Sequence, residues 1–378
     1  MQESQLFDVI KNVIKDEPLD GSSLNWEALI RVAKRHSLLA YVALYESRLP
    51  EQERPAEEIH DLLKQRYAAE QAKAVHQMLA INDISNALEK NEVYHLFLKG
   101  SVTRDKYPTP FLRSMGDIDF LYKETQHEVL KETLLASGFD NYREGRKNDT
   151  YSRKPYVCVE AHRQLVPSDS SYDDYCERVW ERSKIKDGYR FRYEMSAEDE
   201  LVYNLIHLAI HFLEGGAGVR FILDVYVYNH LSLDKEYVEN ELQKIDLLDF
   251  YHNVSDLAEY WFGSGTSNSI VEDLSAFVLN NGVFGSSENS AALAVKDGRI
   301  RFIQKVCFPS YAEMKSMFPW LKGKKLLLPY AWAVRGVRAL KNRKGSVQGQ
   351  FDKASKGNQQ KGKSLEKLFN DCGLTGKL

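Results

Sequence analysis

The feature that most limits what this chain can fold into is a change of period at Val93. Residues 57–90 run without Gly or Pro and keep helical spacing, which predicts one long helix. The next segment, VYHLFLKG, is a short apolar run stopped by Gly100, the mark of a buried strand that turns a corner. A chain that leaves the helical period for a buried strand and later returns to it has to pack helices around a sheet, so the pattern predicts an α+β fold.

The same reading places the other elements. Leu29, Ile30, Val32 and Ala33 in NWEALIRVAKRH give residues 1–90 a helical character throughout. Ser101 is placed to cap a short helix, SVTRDKY, that Pro108 ends. TPFLRSMG reads as loop, and DIDFLY alternates polar and apolar as a half-buried strand does. QHEVLKETLLAS is helical up to Gly138, Lys154 and Pro155 mark a turn, and YVCVEAHRQL is a third strand. From Tyr172 to about Leu279 the chain reads as helical, with Ser196 as cap and Asp199 at the capping-box position. The expected organisation is a helical lobe over 1–90, a small mixed-sheet core over 91–168, a second helical lobe over 169–343, and a basic, flexible tail over 344–378, rich in Lys, Gln, Gly and Ser.

Composition narrows the class. With 378 residues, 43% hydrophobic and 28% charged, the chain can bury a sizeable core and is not a disordered protein. No apolar stretch approaches the ~20 residues of a membrane span: residues 205–213 are broken by His207 and His211, and 326–334 contain Pro329. The N-terminal residues show no basic start followed by an apolar block, so a cytoplasmic location and no membrane partner are expected. Cys158, Cys176, Cys307 and Cys372 lie far apart, which reads as reduced thiols rather than a zinc site or a disulfide framework. Residues 335–378 hold 11 Lys and Arg against 3 Asp and Glu, while the rest holds 40 against 51. An acidic body gives no support to broad nucleic-acid binding, and the basic tail reads first as a solvated end.

Chemistry concentrates in residues 96–162. Asp117 and Asp119 are two apart on a predicted strand, so a period of two sets both carboxylates on one face while Ile118 and Phe120 enter the core. Upstream, Gly100 and Ser101 form a strand-to-helix corner whose amides and hydroxyl suit a phosphate. Downstream, Glu160 sits in an apolar strand, where an unpaired carboxylate costs several kcal/mol unless it meets a cation. Three carboxylates beside a phosphate cradle suit Mg²⁺, not zinc, and two such ions ~3.5–4 Å apart can clamp attacking and leaving oxygens in phosphoryl or nucleotidyl transfer.

LKGSVTRDKYPTPFLRSMGDIDFLY followed by VEAHRQL resembles the nucleotidyltransferases of the DNA polymerase beta superfamily. More narrowly it is similar to the family of uncharacterised nucleotidyltransferases, with its LKG corner, Tyr-Pro, Arg before Gly-Asp-Ile-Asp, and Glu-x-His strand. The resemblance covers most of residues 20–340, including SAEDELVYNLIHLAIHF, VRFILDVYVY and FPWLKGKKLLLPYAWAVRGVR. It implies a nucleotidyltransferase core between helical lobes that moves an NMP from an NTP to a hydroxyl acceptor with release of pyrophosphate. Mg²⁺ is the implied ion, with Mn²⁺ as a substitute. Asp117 and Asp119 would ligate both ions, Glu160 would hold the first and help activate the acceptor, and Gly100 and Ser101 would contact the triphosphate. Fifteen residues separate Ser101 from Asp117, more than in the compact members, so the 108–116 loop is expected to reshape the nucleotide pocket. The acceptor is left open among a small molecule, a protein side chain and an RNA end. The rival reading is a catalytically weak, antitoxin-like module that uses the fold to bind a partner, and three convergent acids count against it.

Other residues carry two readings each. Lys99 and Arg113 flank the phosphate site and either bind phosphate or form a surface salt bridge. His162 shares the face of Glu160 and either orients a carboxylate or substrate or is a structural histidine. His207 and His211, one turn apart without the Glu of H-E-x-x-H, read as packing. Arg220 and Asp224 share a helix face and most simply pair with each other; the functional reading puts Arg220 at the nucleotide or acceptor, with Asp224 fixing it. Gly215, Gly216 and Gly218 follow a helix and so are no dinucleotide loop.

Overall fold

The computed structural model describes residues 2–16, 21, 23–145, 147–167, 170–283, 285–341 and 357–375. Its sheet has seven strands: β1 (His95–Leu98), β2 (Ile118–Tyr122), β3 (Asp140–Arg143), β4 (Asn148–Arg153), β5 (Val157–His162), β6 (Lys184–Ile185) and β7 (Arg192–Glu194), in the order β3-β4-β5-β2-β1-β7-β6. The pairs β2/β5 and β1/β7 are parallel and the others antiparallel, so the sheet is mixed and the fold is α+β. The three apolar runs foreseen as strands are the three central ones. The four outer strands were not foreseen: β3 and β4 are largely polar, and β6 and β7 are short pieces inside a stretch that reads as helical.

Before the sheet come α1 (Gln2–Lys15), α2 (Trp26–Arg35), α3 (Leu39–Arg48) and the long α4 (Glu57–Lys90). Within it lie α5 (Gly100–Thr103), α6 (His127–Ala136), α7 (Asp173–Glu177) and α8 (Val179–Arg182). After it follow α9 (Ala197–Glu214), α10 (Val219–Asn229), α11 (Lys235–Lys244), α12 (Leu248–Phe262), α13 (Ser269–Asn280), α14 (Ser287–Ala294), α15 (Arg299–Cys307), α16 (Tyr311–Met317), α17 (Leu328–Lys341) and α18 (Gln359–Asp371). The Ser196 hydroxyl accepts the Asp199 amide and starts α9 where the sequence put it.

Alternation along the central strands divides the sheet into two faces. Phe97, Ile118, Phe120, Tyr122, Val159 and Ala161 form one core with Ile81, Ile84 and Leu88 of α4 and Leu130 and Leu134 of α6. Leu96, Leu98 and Leu121 face the other way, into a smaller cluster with Val179 and Tyr203. Asp119, Glu160 and His162 belong by register to this second face, beneath α9.

The largest core is helical and joins the first helices to the last. Leu6 and Ile10 of α1, Tyr41 of α3, Leu205 of α9, Leu223 of α10, Leu257 of α12 and Phe369 of α18 belong to one cluster. This corrects the expectation of a flexible tail over 344–378. Residues 342–356 and 376–378 lie outside the described residues, but 357–375 include a helix that buries Leu365, Phe369, Cys372 and Leu374. The spacing of 365, 369 and 372 is a helical stripe diluted by the Lys and Gln around it. No helix among the described residues is long and apolar enough to cross a membrane.

Candidate active site

The chain leaves β1 through Lys99, whose φ of +49° and ψ of −130° are uncommon for a residue with a side chain. Such a conformation costs on the order of 1–3 kcal/mol and persists only where its surroundings fix it. Here Leu98 is paired with Asp119 on one side, and the Lys99 carbonyl accepts the amides of Val102 and Thr103 on the other. Gly100 follows because a β-carbon there would stand 2.9 Å from Met115 Cγ. Ser101 lies within the first turn instead of capping it, and its hydroxyl accepts the Asp119 amide at 3.2 Å.

Parallel pairing sets Glu160 directly beside Asp119. Asp119 is buried, and its Oδ1 accepts the Lys99 ammonium at 2.7 Å and meets His162 Nε2 at 2.7 Å. That His162 nitrogen lies 3.6 Å from Glu160 Oε2, so the imidazole spans the two acids. Burial alone would raise the Asp119 carboxyl, but Lys99 and His162 outweigh it and hold it well below the usual range. Glu160 and Asp117 go the opposite way. Burial raises both, and the neighbouring carboxylates raise them further.

These groups open on a cavity of about 200 Å³ lined by Lys99, Gly100, Arg113, Asp117, Asp119 and Glu160, six of the seven residues singled out from sequence. The seventh, Ser101, sits behind Asp119. Of the expected ligands Asp117, Asp119 and Glu160, the structure brings Asp119 and Glu160 together with His162, with one ligand atom from each within 4.8 Å of the other two. Asp117 is on the cavity wall, but it precedes the first residue of β2, so strand pairing does not fix it as it fixes Asp119.

The opposite wall comes from α9 and α10 and adds Asn204, His207, His211 and Arg220. The two imidazoles stand perpendicular with centres 4.4 Å apart, and His211 lies 5.1 Å from the Phe221 ring. Burial, then the Lys99 charge, keeps His207 well below the ordinary imidazole value and lowers His211 to about 4, so both are neutral at pH 7. Arg113 lines the cavity, and its ion pair is a buried one, not a surface salt bridge. Its Nε and Nη2 donate to the two oxygens of Asp224 at 2.6 and 2.7 Å, a buried fork that Tyr107 joins through its hydroxyl at 2.6 Å. Asp224 therefore pairs with Arg113, 111 residues away in sequence. Arg220 Nη1 donates to the Ser114 carbonyl at 3.0 Å, which Arg113 Nη1 also reaches at 2.8 Å.

The chain belongs to the uncharacterised nucleotidyltransferase family, whose profile matches residues 22–263, well over half of its length. No curated protein and no solved structure matches it. The matched span contains every residue of the cavity described above.

Proposed function

We propose that the protein moves a nucleoside monophosphate from an NTP to a hydroxyl acceptor and releases pyrophosphate, with Mg²⁺ or Mn²⁺ as the ion. The observation that supports this most is the register that sets Glu160 beside Asp119, in a chain of a nucleotidyltransferase family. The donor set suits a hard divalent cation: three carboxylates share one cavity, and two of them are raised by burial and then by mutual repulsion, which a cation would offset. Asp117, Asp119 and Glu160 would hold it. When bound, the ion supplies positive charge at the reacting phosphate and the departing pyrophosphate.

The chain's own groups have separate tasks. Gly100 brings bare main chain to the cavity, and the Lys99 ammonium is the cation beside it for the phosphates. Ser101 and His162 hold Asp119 in place, through its amide and its carboxylate. Glu160 would hold the ion and help activate the acceptor's hydroxyl group. Arg113 and Tyr107, held by Asp224, anchor the loop that leads into Asp117. Four free cysteines accord with a reducing, cytoplasmic setting.

The test is thermal unfolding with each NTP and Mg²⁺ or Mn²⁺, alone and together, beside an assay of pyrophosphate release over candidate small-molecule, protein and RNA acceptors. The melting temperature is expected to rise by about a few degrees only when metal and nucleotide are both present, and Asp117→Asn should abolish the rise. A melting temperature indifferent to every combination would overturn the transferase and favour a partner-binding module.

A further inference from the structure

Outside the cavity, the chain from α16 to α17 combines two features that a purely solvated surface does not need. Residues 314–341 contain seven Lys and Arg and no Asp or Glu. The same stretch exposes large apolar side chains: Leu326 is 96% exposed, Tyr330 63% and Val337 53%. Tyr330 and Val337 are seven apart on α17 and so share a face, with Leu326 one turn before them. Trp320 adds an aromatic ring, its centre 5.9 Å from that of Tyr330. The segment has its own small core of Met314, Phe318, Leu321 and Ala331, so the outward residues are not simply ends of a core below them. Among the described residues, Lys322, Lys324, Lys325 and Arg338 form no ion pair.

We propose that this face docks on the surface of a membrane that carries anionic lipid headgroups. Charge selects the partner's sign, since seven Lys and Arg against the single acid Glu313 over residues 311–341 favour an anionic surface. The apolar stripe selects its kind. A nucleic acid would use the cations but gain little from Leu326 and Val337, whereas a bilayer takes up aliphatic side chains while Trp and Tyr settle at headgroup level. A second copy of the same face would oppose like charges. The absence of a spanning helix does not bear on this, because such a segment lies in the interface plane. The proposal is independent of nucleotidyl transfer.

Flotation of the full chain with phosphatidylcholine vesicles, with and without phosphatidylserine, at about 0.15 M salt tests it. Binding is expected with the anionic vesicles only, and to weaken as salt is raised. Two double variants, Leu326→Asp with Tyr330→Asp and Lys324→Glu with Lys325→Glu, should each lose on the order of tenfold or more in partitioning. All four positions are exposed, so melting temperatures should stay at the wild-type value. Equal affinity for neutral vesicles, or binding unchanged in both folded variants, would overturn the proposal. So would capture of a single-stranded RNA oligonucleotide without any capture of vesicles.

Discussion

Asp117 and Asp119 carry the same carboxyl two residues apart in opposite electrostatic situations. Asp119 is clasped by Lys99 and His162, so Asp119→Asn leaves a buried ammonium without its counter-charge. That variant should lose turnover and also about 3 kcal/mol of stability in urea unfolding. Asp117 is raised by burial and by its neighbour's charge, so Asp117→Asn should lose turnover while holding or gaining stability. The same contrast sets the pH dependence. Between the ordinary carboxyl value of about 4 and the raised folded values of Asp117 and Glu160, these two groups bind more protons in the native state than in the unfolded chain, so their contribution to stability falls as pH rises through that window. Asp119, being depressed, contributes fully above its unfolded value and loses that contribution only as pH falls through its folded one. Buried, neutral His207 and His211 act the other way, since in the unfolded chain they take up protons below about 6.5; Asp117→Asn with Glu160→Gln, which removes only the acids' gain, should therefore steepen the fall of the urea midpoint on acidification relative to the wild type. The pair of acids and the Gly100 corner were visible in the sequence, because a period of two and a strand corner are local; the contrast between the two carboxyls was not, because it depends on His162 from another strand. The partner of Arg113 was not, since it lies 111 residues away, and the i,i+4 rule pointed to Arg220 instead.

At the scale of elements, the site is a junction between the central strands of the sheet and two anchored segments. Gly100 starts α5 against Met115, so Gly100→Ala must displace Met115 and the chain leading to Asp117. A cost of about 1–2 kcal/mol is expected, and Met115→Ala in the same chain should restore the α5 corner's geometry and much of the lost activity. The Arg113–Asp224 fork ties the loop before β2 to α10. Asp224→Leu alone should cost about 3–5 kcal/mol by stranding a buried guanidinium, whereas Arg113→Met with Asp224→Leu should recover most of that, a coupling that equilibrium unfolding of the cycle would measure. The central strands β1, β2 and β5 announced themselves because both faces are covered and their sequences are apolar. β3, with exposed residues at Asp140, Asn141 and Arg143, carries no such pattern; pairing to β4, not side-chain burial, makes it a strand. α18 did carry its stripe, yet composition around it argued the other way, and periodicity proved the better guide.

Over the whole molecule, the helical core closes a circuit from α1 to α18. Phe369 is fully buried, with its ring 5.4 Å from Phe277 and 6.1 Å from Phe212. Phe369→Ala should cost about 4 kcal/mol, readable as a fall in melting temperature that a merely flexible tail would not give. The circuit also orders events while the chain is being made. Residues 2–48 emerge from the ribosome early, but the cluster they belong to contains Leu374 and stays open until that residue is released. All the sheet's strands have been synthesised by residue 194, so the acids of β2 and β5 can be aligned well before. α9, which carries His207 and His211 on the far wall of the cavity, sets Phe212 against Phe369 of the last helix. A nascent chain stalled short of α18 would thus present an assembled row of carboxylates without a finished chamber over them.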